Sequence, residues 1–189
     1  YGAKDADRVI VLMGSGAETV EETVDYLNAN GGKTGVLKVR LYRPFDVAKF
    51  AAAIPSSVKK ITVLDRVKES GSAGDPLYLD VVAALNEAGR DIEVVCVRYG
   101  PGSKEFNPSM VNAVFENMNA KKPMNNFTIG INDDVTYLSL LVTEKIDAAP
   151  AGAISCTFYG LGSEGTFGSN KYSIQITCNF TDKYAPAYF

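Results

Sequence analysis

Two glycine-rich turns are the places in this sequence where a ligand could be held. The first, Gly14-Ser15-Gly16, follows the apolar run Val9 to Met13 and opens a helical pattern of Ala17, Val20, Val24 and Leu27. The second, Gly160-Leu161-Gly162-Ser163-Glu164-Gly165, fits G-x-G-x-x-G. It follows the strand-like run Ala153 to Tyr159 and precedes a helix expected over Thr166 to Thr177. Glycines let the backbone approach a phosphate closely, and the unpaired N–H groups of a helix start donate to it. The first turn is the weaker candidate, because Glu18 sits in the helix's first turn and can answer the dipole itself. In the second, Glu164 would repel an anion unless it faces outward. The competing reading is a glycine turn that only lets strand and helix pack.

Other chemistry is bounded by what the 189 residues contain. There is no histidine, so imidazole acid–base catalysis and Ser–His–Asp triads are excluded within this sequence. Cys96, Cys156 and Cys178 lie far apart with no C-x-x-C pair, which predicts neither a metal site nor a disulfide framework and suits a reducing cytosol. The net charge is −3, and no basic run is longer than a pair such as Lys59-Lys60, so no nucleic-acid face is expected. No apolar stretch approaches the ~20 residues that cross a bilayer. We expect no catalytic residues here.

The elements that would position these residues read in order. Thr34 to Tyr42 is a strand, Asp46 caps a helix carrying Val47, Phe50 and Ile54, and Lys60 to Asp65 is a third strand. Arg66 to Gly74 is the most polar loop. Asp75-Pro76 opens a helix with Leu77, Val81, Ala84 and Leu85 inward, Ile92 to Val97 is a strand, and Asn107-Pro108 repeats the cap. Alternation of this kind predicts an α/β fold, three αβα layers around a mainly parallel sheet, with a C-terminal extension. The loops at Gly14–Gly16, Tyr42–Pro44, Asp65–Gly74 and Arg98–Gly102 would then share the edge where open sheets bind ligands. Against that stands a plain reading in which Asp65 and Arg66 form a local ion pair and Arg43 lies over the rim. Composition shifts near Lys121-Lys122-Pro123, which we take as the domain boundary. Phe127 to Ile131 reads as a short edge strand, and Asp133 to Pro150 as an extended linker wrapping a surface.

Long motifs resemble one family, the pyruvate:ferredoxin (flavodoxin) oxidoreductases. They include Val11-Leu12-Met13-Gly14-Ser15-Gly16-Ala17-Glu18-Thr19, Lys38 to Phe45, Val63-Leu64-Asp65-Arg66, Gly102-Ser103-Lys104-Glu105-Phe106, Gly130 to Thr136, and Phe158 to Thr166. The resemblance implies that residues 1–119 have the transketolase C-terminal fold, that 120–150 link, and that 151–189 begin a coenzyme A-binding domain. Gly160 would make the turn, and Gly162, Ser163, Glu164, Gly165 and Thr166 would wrap the phosphates of coenzyme A. The family's enzyme, a homodimer in the cytoplasm, decarboxylates pyruvate on thiamine diphosphate. It passes electrons through [4Fe–4S] clusters to ferredoxin or flavodoxin and forms acetyl-CoA. Thiamine and cluster motifs are missing from this sequence, which predicts an internal piece serving as scaffold and interface to the remaining domains. The alternative is a stand-alone nucleotide- or coenzyme A-binding module. A third possibility is self-association through apolar residues such as Ile154, Phe158 and Phe167.

Overall fold

In the computed structural model, residues 1–150, 152–162 and 165–187 are described. Five strands form one parallel sheet: β1 (Arg8–Leu12), β2 (Thr34–Lys38), β3 (Lys60–Asp65), β4 (Glu93–Tyr99) and β5 (Phe127–Ile129), ordered β2-β1-β3-β4-β5. Four helices connect them: α1 (Gly16–Ala29), α2 (Val47–Ala53), α3 (Pro76–Glu87) and α4 (Pro108–Asn119). The α/β expectation is met in order and type.

Alternation along the strands builds two cores. Ile10 and Leu12 of β1 face a cluster with Val20 and Val24 of α1 and Val111 and Phe115 of α4. Val9 and Val11 face the opposite cluster, with Phe50 of α2 and Leu77 and Val81 of α3. Because the central strands are covered on both sides, their interiors are apolar on both faces, with Thr62 of β3 the buried polar exception. Two helix starts form as their residues dictate: Asp46 accepts from the N–H of Lys49 at 2.9 Å, and Asn107 from that of Met110 at 3.1 Å.

The first compact unit runs from Tyr1 to Ala149. β5 lies beyond the change of composition at residue 120 and pairs with β4, Val97 opposite Phe127 and Tyr99 opposite Ile129. Residues 138–140 then lie along β5: Thr128 donates its N–H to Leu138 O and accepts from Leu140 N, both at 2.8 Å. Farther on, Ser109 Oγ accepts from Ile146 N at 3.0 Å and Asn112 Nδ2 donates to Glu144 at 3.3 Å. Residues 131–149 are thus a strap over β5 and α4. The unit keeps them because their backbone groups close the sheet's open edge.

Residues Pro150–Phe189 form a second unit. Its helix α5 (Thr166–Phe180) stands where the pattern put it, and none of its described residues is buried. Here one expectation fails. Ala153 to Tyr159 is not a strand, and the whole run is exposed. A strand needs a ladder partner, and the described residues of this unit supply none.

Candidate functional site

The C-terminal ends of the strands gather the first turn and the polar loops, as the topology requires. Gly14 has φ +78 and makes the reversal. Gly16 is fixed by packing: a Cβ there would lie 2.6 Å from Tyr99 Oη. Tyr99, 1% exposed, donates its hydroxyl to Met13 O at 3.3 Å and stacks on Phe106 with centroids 4.4 Å apart. The first turn therefore serves strand–helix packing. Beside it, between Met13–Glu18 and Lys38–Arg40, opens a cavity of about 430 Å³. Its charges offset one another, since Lys38 pairs with Glu21 at 2.5 Å and Glu18 and Arg40 both line the wall.

The acids at this edge are committed to the fold. Asp65 accepts from Leu77 N at 3.2 Å and Tyr78 N at 3.1 Å, capping α3 from a neighbouring strand end. Burial holds its pKa above the ordinary carboxylate value, a pull that the two N–H groups oppose. Asp75, 2% exposed, takes the N-cap backbone conformation, φ −76 and ψ 158, yet its carboxylate turns to the Arg98 guanidinium. Nη2 of Arg98 lies 3.2 and 3.0 Å from the two carboxylate oxygens, and Glu69 N donates to Oδ1 at 3.1 Å. The Cys96 thiol reaches the same carboxylate at 3.8 Å, and burial pushes it up to about 11. A thiol held protonated is a poor nucleophile.

The ion pair expected between Asp65 and Arg66 does not form. Arg66 instead donates to Gly100 O at 3.2 Å and Ser15 Oγ at 3.4 Å, tying three strand ends together. Arg43 does lie over the rim, 3.8 Å above the Tyr42 ring and 2.9 Å from Asp80. Among the described residues, no group of three histidine, cysteine, aspartate or glutamate side chains could hold a metal ion. The Asp75–Arg98–Cys96 cluster was not foreseen. Asp-Pro reads as a plain cap, and only the parallel register, Asp65 opposite Arg98, brings β4's arginine to that loop.

At the second glycine turn, Gly160 and Gly162 precede the described start of α5, and Gly165 (φ +80) is its N-cap before Thr166. A Cβ at Gly162 or Gly165 would meet open space. Ser163 and Glu164, also expected to wrap phosphates, lie outside the described residues.

The fold and this edge define a parallel α/β domain whose buried charges hold loops together. The family described as "Pyruvate:ferredoxin oxidoreductase core domain II" matches residues 6–111, and the chain belongs to it. It is 58% identical over its whole length to the pyruvate:ferredoxin oxidoreductase of Moorella thermoacetica, covering 16% of that protein. It is 54% identical, again over its whole length, to the pyruvate-flavodoxin oxidoreductase of Nostoc sp., covering 17%. The chain thus spans about a sixth of the length of these curated relatives. A solved 2-oxoglutarate:ferredoxin oxidoreductase from Magnetococcus marinus, with 2-oxoglutarate, coenzyme A and succinyl-CoA bound, overlaps 61% of this chain and 18% of its own. That overlap has 25% identity and a TM-score of 0.43.

Proposed function

We propose that this chain is a structural and interface part of a longer pyruvate:ferredoxin or flavodoxin oxidoreductase. The whole enzyme would convert pyruvate and coenzyme A to acetyl-CoA and CO2 and pass two electrons to an iron–sulfur or flavin acceptor protein. The observation that carries the reading is the match across the entire chain to a sixth of two proteins so named. The edge chemistry fits it: Asp65, Asp75 and Arg98 are occupied in holding loops, and Cys96 is kept as a thiol. The two relatives name different acceptors at similar identity, and acceptor choice would belong to other parts of the polypeptide. Thiamine diphosphate, the [4Fe–4S] clusters and a homodimer interface would likewise belong to the whole cytoplasmic enzyme.

Within the chain, the compact unit Tyr1–Ala149, which takes in β5 and the strap rather than leaving residues 120–150 as a connection, would be the transketolase C-terminal-like domain, and the segment from 151 the beginning of a coenzyme A-binding domain. Gly160, Gly162, Ser163, Glu164, Gly165 and Thr166 would supply part of the phosphate cradle. The open space beside Gly162 and the helix start after Gly165 suit an anion with phosphate oxygens. The test uses the whole polypeptide that carries this sequence. Pyruvate-dependent reduction of ferredoxin or flavodoxin should require coenzyme A. Gly162→Val should raise the KM for coenzyme A at least tenfold and leave that for pyruvate unchanged. An unchanged KM for coenzyme A would remove the cradle, and no pyruvate-dependent reduction would remove the enzyme reading.

A further inference from the structure

The two edges of the sheet are closed unequally. The strap lies along β5, whereas at the other edge only Tyr1–Ala3 runs beside β2, antiparallel, with Gly2 opposite Gly35. Ala3 N donates to Thr34 O at 3.0 Å. Tyr1 and Val36 exchange both backbone bonds at 2.9 Å, the pattern of an antiparallel ladder. The seam is built for close approach: a Cβ on Gly2 would lie 2.6 Å from Thr34 O, and one on Gly35 would lie 3.1 Å from Tyr1 O. Along β2 the bonding direction alternates. Val39 donates inward to Leu12 O, while Thr34 and Val36 bond outward to Ala3 and Tyr1. Lys38 is the next residue facing outward, and among the described residues no strand lies beside it. A lysine can guard an open edge, but Lys38 is drawn onto the α1 side by Glu21 at 2.5 Å.

We infer that the stretch of the longer polypeptide immediately before Tyr1 continues this ladder as a further strand, antiparallel to β2 and paired with Lys38. The inference rests on the reading that this chain lies within a longer oxidoreductase. The occupant follows from continuity with a pairing already formed. In an antiparallel register each step back from Tyr1 is a step forward on β2, so the residue before Tyr1 falls opposite Leu37 and the one before that opposite Lys38. The faces follow as well. Tyr1 Oη donates to Asp25 of α1 at 2.8 Å, which puts Tyr1 and every second residue before it on the α1 side. The residue opposite Lys38 therefore shares the face on which the cavity beside Lys38–Arg40 opens, and the residue opposite Leu37 covers the apolar side of Leu37 and Val39.

Cross-linking in the whole polypeptide tests the register. With Lys38→Cys and a cysteine at the second residue before Tyr1, oxidation should join the two, because the Cα atoms of such a pair lie about 5.5 Å apart. Moving the second cysteine one residue either way turns it to the other face and should cut the yield about tenfold or more. No link, or equal yields at neighbouring positions, would overturn the pairing. A link between two polypeptides rather than within one would also overturn it, by making a second copy the occupant. Without any substitution, the Lys38 amide should exchange with deuterium about tenfold or more slowly in the whole polypeptide than in the 189-residue chain. Equal rates would overturn the inference even where a cysteine variant does not fold. Pyruvate-dependent reduction by the unsubstituted preparation reports separately on the enzyme reading, so the two failures are distinguishable.

Discussion

The residues that look most reactive in this chain are the ones most tightly bound into it. Asp75 illustrates the cost of that arrangement: it is 2% exposed and faces the Arg98 guanidinium at 3.0 Å. Removing one partner of such a pair strands the other, which costs about 3 kcal/mol or more. Asp75→Ala should therefore lower the unfolding free energy by that amount, measured by urea unfolding followed by circular dichroism. Cys96 gives a pH prediction. Its folded pKa, about 11, lies above the ordinary 9.0, so the folded state holds its proton where the unfolded chain releases it. This contribution is fully present below pH 9 and is lost as pH rises toward 11. Cys96→Ala should flatten the fall of stability between pH 8.5 and 10.5. A slope unchanged by the substitution would show that another group titrates there. In the native protein Cys156 and Cys178, both exposed, should react with a thiol reagent while Cys96 reacts only on unfolding.

Among the elements, the strand–turn–helix at β1 and α1 is where pattern and structure agree on form and differ on purpose. The sequence shows Gly-Ser-Gly at a strand end, and such a turn suggests a ligand cradle. Yet the partner that needs Gly16 to lack a side chain is Tyr99, 83 residues later, so no local pattern can reveal it. Gly16→Ala should destabilise by about 1–3 kcal/mol through overpacking, despite alanine's better helix propensity. Tyr99→Phe removes the nearest atom and should recover part of the loss in the double mutant, measured by denaturant unfolding. Asp65 teaches a similar lesson. Its place at a strand end was legible. Its partners, the Leu77 and Tyr78 amides, were not, because the adjacent Asp75-Pro76 imitates a self-sufficient cap. Ala153 to Tyr159 failed for a different reason. Apolar alternation reports a willingness to pair, and pairing needs a neighbour.

At the scale of the molecule, periodicity carried the order of α and β elements and the two-sided core, because the buried strands are mostly apolar on both faces, β3 even with Thr62 among its buried residues. It did not carry the extent of the first unit. β5 is three residues long and the strap has no period, so their role appears only in the pairing of Thr128 with residues 138–140. A chain cut after Ala149 should unfold in one cooperative transition. A chain cut after Asn119 loses β5 and the strap, bares Val97 and Tyr99 at the sheet edge, and should aggregate or melt broadly by calorimetry.

The account depends on the chain supplying support and interface while the reaction centre is assembled elsewhere. Folded chain alone, given pyruvate, coenzyme A, thiamine diphosphate, magnesium and an oxidising viologen dye under anaerobic conditions, should release no CO2 above the protein-free background. The whole polypeptide carrying the same sequence should release it at once. Pyruvate-dependent CO2 release by the 189 residues alone would contradict the account.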